Sequence, residues 1–232
     1  MTDQTIGDAV LQRDGRSYGL VVGGAGGVVT PDELERVARV GREHGVPLLK
    51  LTRGQRIALL GIPADDLPAV ARALGVDDRR LAGPCLKYVA ACPGTAACTW
   101  GMQDAIGLAG ALEARFGARP LPSKLKMGVS GCIRNCGTCF AYDLGFMGTG
   151  RGWMVFLGGN GGRHPRNADL VGANLSDGQA LDLAGRLLDY YAANARPKER
   201  TARFIERIGL GAVRDDVLRF VPYLPIEDGT PG

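Results

Sequence analysis

The chain has 232 residues, 45% of them hydrophobic and 22% charged, with a formal net charge of +4. That length holds one large domain or two small ones, and the balance is ordinary for a globular protein. A small positive excess without an aromatic-interleaved basic stripe or a helix-turn-helix pattern argues against a nucleic-acid partner. No uninterrupted apolar run reaches the roughly 18 residues of a membrane span. Met1 to Gly15 is polar and mixed in charge, unlike a signal peptide, so the expected location is cytoplasmic.

From Arg16 to Val76 the pattern predicts strand, helix, two strands and helix. Tyr18 to Val22 is a short apolar run before a glycine turn, Gly23 to Gly27. That turn lacks the G-x-G-x-x-G spacing that opens straight into a helix, so no dinucleotide site is read there. Thr30-Pro31-Asp32-Glu33 is a helix start, with Thr as N-cap, Pro at the first helical position and acids in the first turn. Leu34, Val37, Ala38 and Val40 form its expected apolar face. Leu48–Leu51 and Ile57–Leu60 read as a strand pair around Arg53-Gly54, and Asp65–Leu74 as a helix closed by Gly75. Helices on one face of a small, mainly antiparallel sheet make an α+β layer.

A second part begins near Leu81-Ala82-Gly83-Pro84. Its expected elements are a helix at Gln103–Phe116, strands at Lys124–Val129, Tyr142–Met147 and Trp153–Leu157, a Gly158–Gly162 loop, and helices at Ser176–Asn194 and Lys198–Ile208. A loose tail is expected from Pro222.

The six cysteines crowd into Cys85–Cys139. In a chain without an export signal this points to metal binding rather than disulfides. Cys92 and Cys98 flank five residues (CPGTAAC), and Cys132 and Cys136 flank three (CIRNC). A C-x5-C…C-x3-C array supplies the four thiolates of a 4Fe-4S cluster. Zinc is the metal competitor, but its sites favour closer pairs and recruit histidine, and His44 and His164 stand in no ligand spacing. Cys132, Cys136 and Cys139 also spell C-x3-C-x2-C, the signature of radical S-adenosylmethionine enzymes. Thr138 stands where those enzymes carry an aromatic, and too few residues follow for their barrel. Cys85 and Cys139 are therefore expected to be packing residues or minor contributors around the cluster ligands.

Basic residues gather near the cysteines in sequence. Lys124 and Lys126 alternate along a predicted strand and so share one face. Lys87 precedes Cys92 by five residues, and Arg53 and Arg56 lie in LTRGQRIALLGI. A solvated basic surface is the plain interpretation; binding of anionic groups is the sharper one, with guanidinium suited to carboxylates and lysine acting as a compact charge or proton donor.

The segments LTRGQRIALLGI, LKYVAACPGTAACTWGMQDA, LPSKLKMGVSGCIRNC and GWMVFLGGNGGRHPRNADL carry a family resemblance from near Tyr18 to about Leu218. The chain resembles the siroheme- and 4Fe-4S-dependent sulfite and nitrite reductases, and in size the low-molecular-weight assimilatory-type sulfite reductases. The resemblance implies an α+β fold, with a ferredoxin-like half domain at 10–80, a cluster- and siroheme-binding domain at 81–221 and a tail at 222–232. By position, Cys92, Cys98, Cys132 and Cys136 would ligate the cluster, with Cys136 bridging to the siroheme iron. Lys124 and Lys126 match the paired active-site lysines, and Lys87 takes the place of an arginine. Arg53 or Arg56 would face the haem, and Asn160 and Arg163 would lie near the cofactor.

The implied reaction is six-electron reduction of sulfite to sulfide, with nitrite to ammonia as the alternative, fed by a separate donor protein such as a ferredoxin. Larger relatives hold two copies of this unit in one chain, with the lysines opposite the ligating cysteines, which implies a homodimer here. Readings of other classes are a cluster protein that transfers electrons without siroheme, and a tetrapyrrole-modifying enzyme on the same fold.

Overall fold

A computed structural model describes residues 9–76 and 83–218, and the chain divides at Gly83–Pro84 into two units. The expected junction residues Leu81-Ala82 and the tail from Pro222 lie outside the described residues.

In the first unit, SYGLVV forms β2 (Ser17–Val22), preceded by a two-residue β1 (Val10–Leu11). Helix α1 (Pro31–Glu43) starts at a reciprocal capping box: Thr30 accepts from the Glu33 amide, and the Glu33 carboxylate accepts from the Thr30 amide at 2.7 Å. These contacts satisfy two amide donors left open at a helix start. Strands β3 (Leu48–Leu51) and β4 (Ile57–Pro63) then pair antiparallel, and α2 (Leu67–Ala73) follows. The sheet order is β1-β2-β4-β3, antiparallel throughout.

Leu20, Leu59 and Ile62 from the sheet meet Val37, Val40, Leu67 and Val70 from the helices in one core. Leu34 departs from the expected helix face. It is 46% exposed, because the core takes Val37, Val40 and Gly41 and leaves the first turn at the rim.

The second unit is built on a five-stranded sheet, β5 (Leu86–Ala91), β6 (Leu125–Ser130), β7 (Leu144–Thr149), β8 (Gly152–Leu157) and β9 (Asp169–Leu175), paired in that order. The β5–β6 and β6–β7 pairs are parallel, whereas β8 is antiparallel to both its neighbours. Helix α3 (Ala105–Phe116) crosses between β5 and β6, the long connection that a parallel pair requires. Helices α4 (Asp177–Asn194), α5 (Thr201–Ile208) and α6 (Leu210–Leu218) complete the unit.

Alternate strand residues Leu125, Met127 and Val129 join Leu144, Phe146, Trp153 and Val155 in the main core, covered by residues of all four helices. The opposite sheet face carries only a small apolar cluster of Cys139, Met147, Phe156 and Ala168. Period-two alternation therefore leaves Lys126 and Ser130 on the face away from the main core. Strands β5 and β9 and helix α6 are additions to the elements expected from the sequence.

Candidate functional site

Strands β5 and β6 run side by side in the same direction, so both deliver the chain to one edge of the sheet. The first cysteine follows the end of β5 and the third follows the end of β6. The two loops are then tied by backbone hydrogen bonds. Cys92 donates its amide to Val129 O (3.1 Å), and Met102 and Gln103 both donate to Gly131 O (2.8 and 3.0 Å). Within the first loop, Cys98 donates to Gly94 O at 2.9 Å.

Glycine is required where the loops touch. A Cβ on Gly131 would stand 2.6 Å from Gly94 Cα and 2.7 Å from Gln103 O. Gly94 itself has φ +54 and would meet Ala105 N at 2.6 Å. No side chain larger than hydrogen fits either position without parting the loops.

All six cysteines are free thiols. Cys132 is buried, Cys92 and Cys98 are half-buried, and Cys136 is exposed. The Gly131 amide donates to Cys92 Sγ at 3.1 Å, a contact of the kind that tunes thiolate–iron chemistry. Among the described residues no three His, Cys, Asp or Glu side chains gather round one ion position; an iron–sulfur cube takes its four thiolates at separate irons. Four thiols on two glycine-locked loops are a donor set that fits such a cube. Cys136 is the most exposed of the four.

Cys139 belongs to the fold. Its side chain is buried, donates to Phe146 O at 2.8 Å and lies 3.1 Å from Ser130 Oγ. Burial pushes its thiol up to about 11, and its sulfur is already engaged within the fold. Cys85 is likewise buried. The loop between Cys132 and Cys139 is held by Asn135, with φ 55, whose Oδ1 accepts from the Cys139 amide at 2.8 Å. Ser130 Oγ accepts from the Gly137 amide at 2.8 Å. Neither Asn135 nor Ser130 stands out in the sequence, since their role comes from the fold-back of the loop.

Of the basic residues, Lys124 is exposed, and Lys87 and Lys126 are half-buried near the starts of β5 and β6. The Lys126 ammonium lies over the Tyr88 ring, 5.6 Å from its centroid. The backbone of Lys126 is gripped by Asp143, whose Oδ2 accepts the Lys126 amide (2.9 Å) and whose own amide donates to Lys126 O (3.1 Å).

Asp143 is 1% exposed and also accepts from Arg200 at 3.0 and 2.6 Å and from Thr201 Oγ1 at 2.7 Å. This carboxylate, unmarked in the sequence, pins the start of α5 to the lysine strand. Asn160 closes its own loop, donating to His164 O (2.7 Å) and accepting from the Gly162 amide (3.1 Å), and Arg163 is exposed. In the first unit Arg53 is exposed, whereas Arg56 is 4% exposed and lines a cavity of about 360 Å³ together with Gly23, Gly24, Glu33 and Arg36.

Paired cysteine loops at a parallel strand edge, on a sheet backed by helices, fit the binding of an iron–sulfur cluster. Residues 82–221 match the family model described as nitrite and sulphite reductase 4Fe-4S domain, and residues 10–76 match the nitrite/sulfite reductase ferredoxin-like half domain. The chain belongs to the nitrite and sulfite reductase family, whose members are siroheme- and 4Fe-4S-dependent oxidoreductases.

It is 39% identical over 218 residues to the assimilatory-type sulfite reductase of Nitratidesulfovibrio vulgaris, covering 94% of this chain and 100% of that protein. It is also 39% identical over 206 residues to the NAD(P)H nitrite reductase of Bacillus subtilis, covering 89% of this chain but 26% of that protein. Among solved structures, the Mycobacterium tuberculosis NirA protein shares the fold at a TM-score of 0.75 and 18% identity, over 94% of this chain and 43% of that one. Dissimilatory sulfite reductase I does so at 0.76 and 14%, over 93% and 72%.

Gly131→Ala should part the two loops while leaving the sheet folded. Iron and acid-labile sulfide should fall to a small fraction of the wild-type content with an unchanged far-ultraviolet circular dichroism spectrum.

The raised Cys139 thiol sets an alkaline limit. The folded state holds this proton more tightly than the unfolded chain, whose thiol titrates at 9.0, so its contribution is whole below pH 9 and is lost as pH rises toward 11. Urea denaturation should show stability falling more steeply over that window in the wild type than in Cys139→Ala.

Proposed function

We propose that this protein reduces sulfite to sulfide in a six-electron reaction, drawing electrons from a separate donor protein such as a ferredoxin. The observation that carries this reading is the match at 39% identity to the full length of an assimilatory-type sulfite reductase, whereas the nitrite reductase from Bacillus subtilis is matched over 26% of its length. Nitrite is the second reading, favoured by equal identity within the shared segment.

Cys92, Cys98, Cys132 and Cys136 would hold the cluster, and the exposed Cys136 would also help hold the siroheme. When bound, the two groups supply the electrons and the iron to which the anion attaches. Lys124 and Lys126 attract the anion and offer protons to its oxygens, so that oxygen leaves as water. Lys87 and one of Arg53 and Arg56 add positive charge for the anion and the siroheme carboxylates, with Asn160 and Arg163 near the macrocycle. No helix among the described residues is long and apolar enough to cross a membrane. We place the protein in the cytoplasm, the compartment in which clustered free thiols persist.

Purified anaerobically, the protein should show siroheme bands near the Soret and in the red, and should turn over sulfite faster than nitrite with a chemical reductant. Lys126→Ala should lower kcat by about 100-fold or more while keeping the spectrum. Nitrite turnover well above sulfite turnover would make nitrite the substrate, and a broad brown shoulder without haem bands would make the protein a cluster carrier.

The reading includes a homodimer. Strand β6 carries Lys126 near its start while the second cysteine loop lies past its end, an arrangement in keeping with lysines that would act on siroheme held by the other copy. Co-refolding Cys136→Ala with Lys126→Ala should then restore activity in the mixed dimers, and a mixture no more active than its components would exclude the shared site.

A further inference from the structure

Lys126 lies on a strand whose neighbour, β5, carries a second lysine at almost the same level. In unbroken parallel register the pairing that begins at Leu86 opposite Leu125 would set Lys87 opposite Lys126, two like charges on adjacent strands. The register instead shifts between Leu86 and Tyr88, and Tyr88 becomes the residue opposite Lys126. One extra residue on β5 thus exchanges an ammonium neighbour for an aromatic ring. The exchange has a visible product: Lys126 Nζ sits 5.6 Å from the Tyr88 centroid, inside the roughly 6 Å range of a cation–π contact.

The ring is itself braced. Tyr88 meets Tyr142 edge to face, with centroids 6.0 Å apart and planes at 90°, the arrangement that aromatic quadrupoles prefer. Tyr142 is 5% exposed, so the brace is part of the packed structure. The next residue is Asp143, which grips the Lys126 backbone from the other side. One short segment, Tyr142-Asp143, therefore fixes both ends of the lysine: the main chain directly, and the ammonium through Tyr88.

We infer that Tyr88 is a positioning residue of the active site, whose ring face holds the Lys126 ammonium in place before the anionic substrate arrives. The inference rests on the assignment of Lys126 as a substrate-binding group. A flexible four-carbon stem carries considerable rotamer entropy, and a ring that restrains it beforehand reduces what binding must spend on ordering. The contact observed is with the ring face, so phenylalanine is expected to serve equally well.

The test uses the holoenzyme with a chemical reductant, comparing Tyr88→Leu and Tyr88→Phe. Tyr88→Leu should raise KM for sulfite about 3- to 10-fold with a smaller change in kcat and unchanged siroheme absorbance, while Tyr88→Phe should match the wild type. Reductive methylation of Lys126, followed by mass spectrometry on protein without cofactors, supplies a readout independent of turnover and of haem loading. Lys126 should label several-fold faster in Tyr88→Leu and at the wild-type rate in Tyr88→Phe.

Equal KM and equal labelling in all three proteins would overturn the inference, as would a phenylalanine variant that behaves like leucine. Faster labelling with an unchanged KM would overturn it as well. If Lys126→Ala is then fully active, the fault lies with the assignment of the lysine rather than with its contact to the ring.

Discussion

Strands β5 and β6 lie parallel and adjacent, and the chemistry of the second unit follows from that pairing. Parallel neighbours end at the same edge, so the residues that leave them are brought together whatever their separation in sequence. Here the two exits carry the two cysteine pairs, with the whole of α3 between them in the chain. An antiparallel pair would have sent the cysteine pairs to opposite edges. The loops then close on each other through Gly94 and Gly131, whose missing side chains allow a contact that backbone atoms alone can make. The four thiols are held by main-chain geometry, which is stiffer than side-chain packing and suits a cofactor that tolerates little change in ligand spacing.

The lysine side of the same strands is organised by a different force. Asp143 is a buried carboxylate that accepts four hydrogen bonds from three residues, and a buried charge persists only when it is fully hydrogen-bonded. Such a network adds little net stability, because desolvation of the charges consumes much of the Coulomb gain. What it does supply is a fixed relation among β6, β7 and the start of α5. The tyrosine pair beside it extends that fixity to the ammonium of Lys126. Thiolate loops and lysines thus sit on one sheet, but glycine contacts hold the former and a buried carboxylate the latter.

The relatives place this unit in larger settings. Some curated relatives use a segment of this kind as about a quarter of a longer protein, and NirA is more than twice its span. A fold kept at TM-scores of 0.75 and 0.76 with identities of 18% and 14% indicates that backbone topology, rather than most side chains, is what these proteins share. That accords with a cofactor site made chiefly of strand ends and glycine turns.

Local chemistry made much of this legible beforehand. The N-cap at Thr30 and the alternation through Leu125–Val129 are signals confined to a few residues, and both are found in the structure; the spacing of the four cysteines is equally local. Strand β9 escaped because DLVGANL mixes glycine and polar residues, and β5 because LKYVAA is short and ends in alanines. Both are strands by virtue of the neighbours they pair with.

The sequence by itself determined which residues can bind iron and which can carry positive charge, because side-chain chemistry belongs to the residue. Only the tertiary structure decided that the Cys139 thiol donates to Phe146 O, that Asp143 governs Lys126 and that Tyr88 rather than Lys87 stands opposite it. Those outcomes depend on strand register and on burial, and both are set by contacts between segments far apart in the chain.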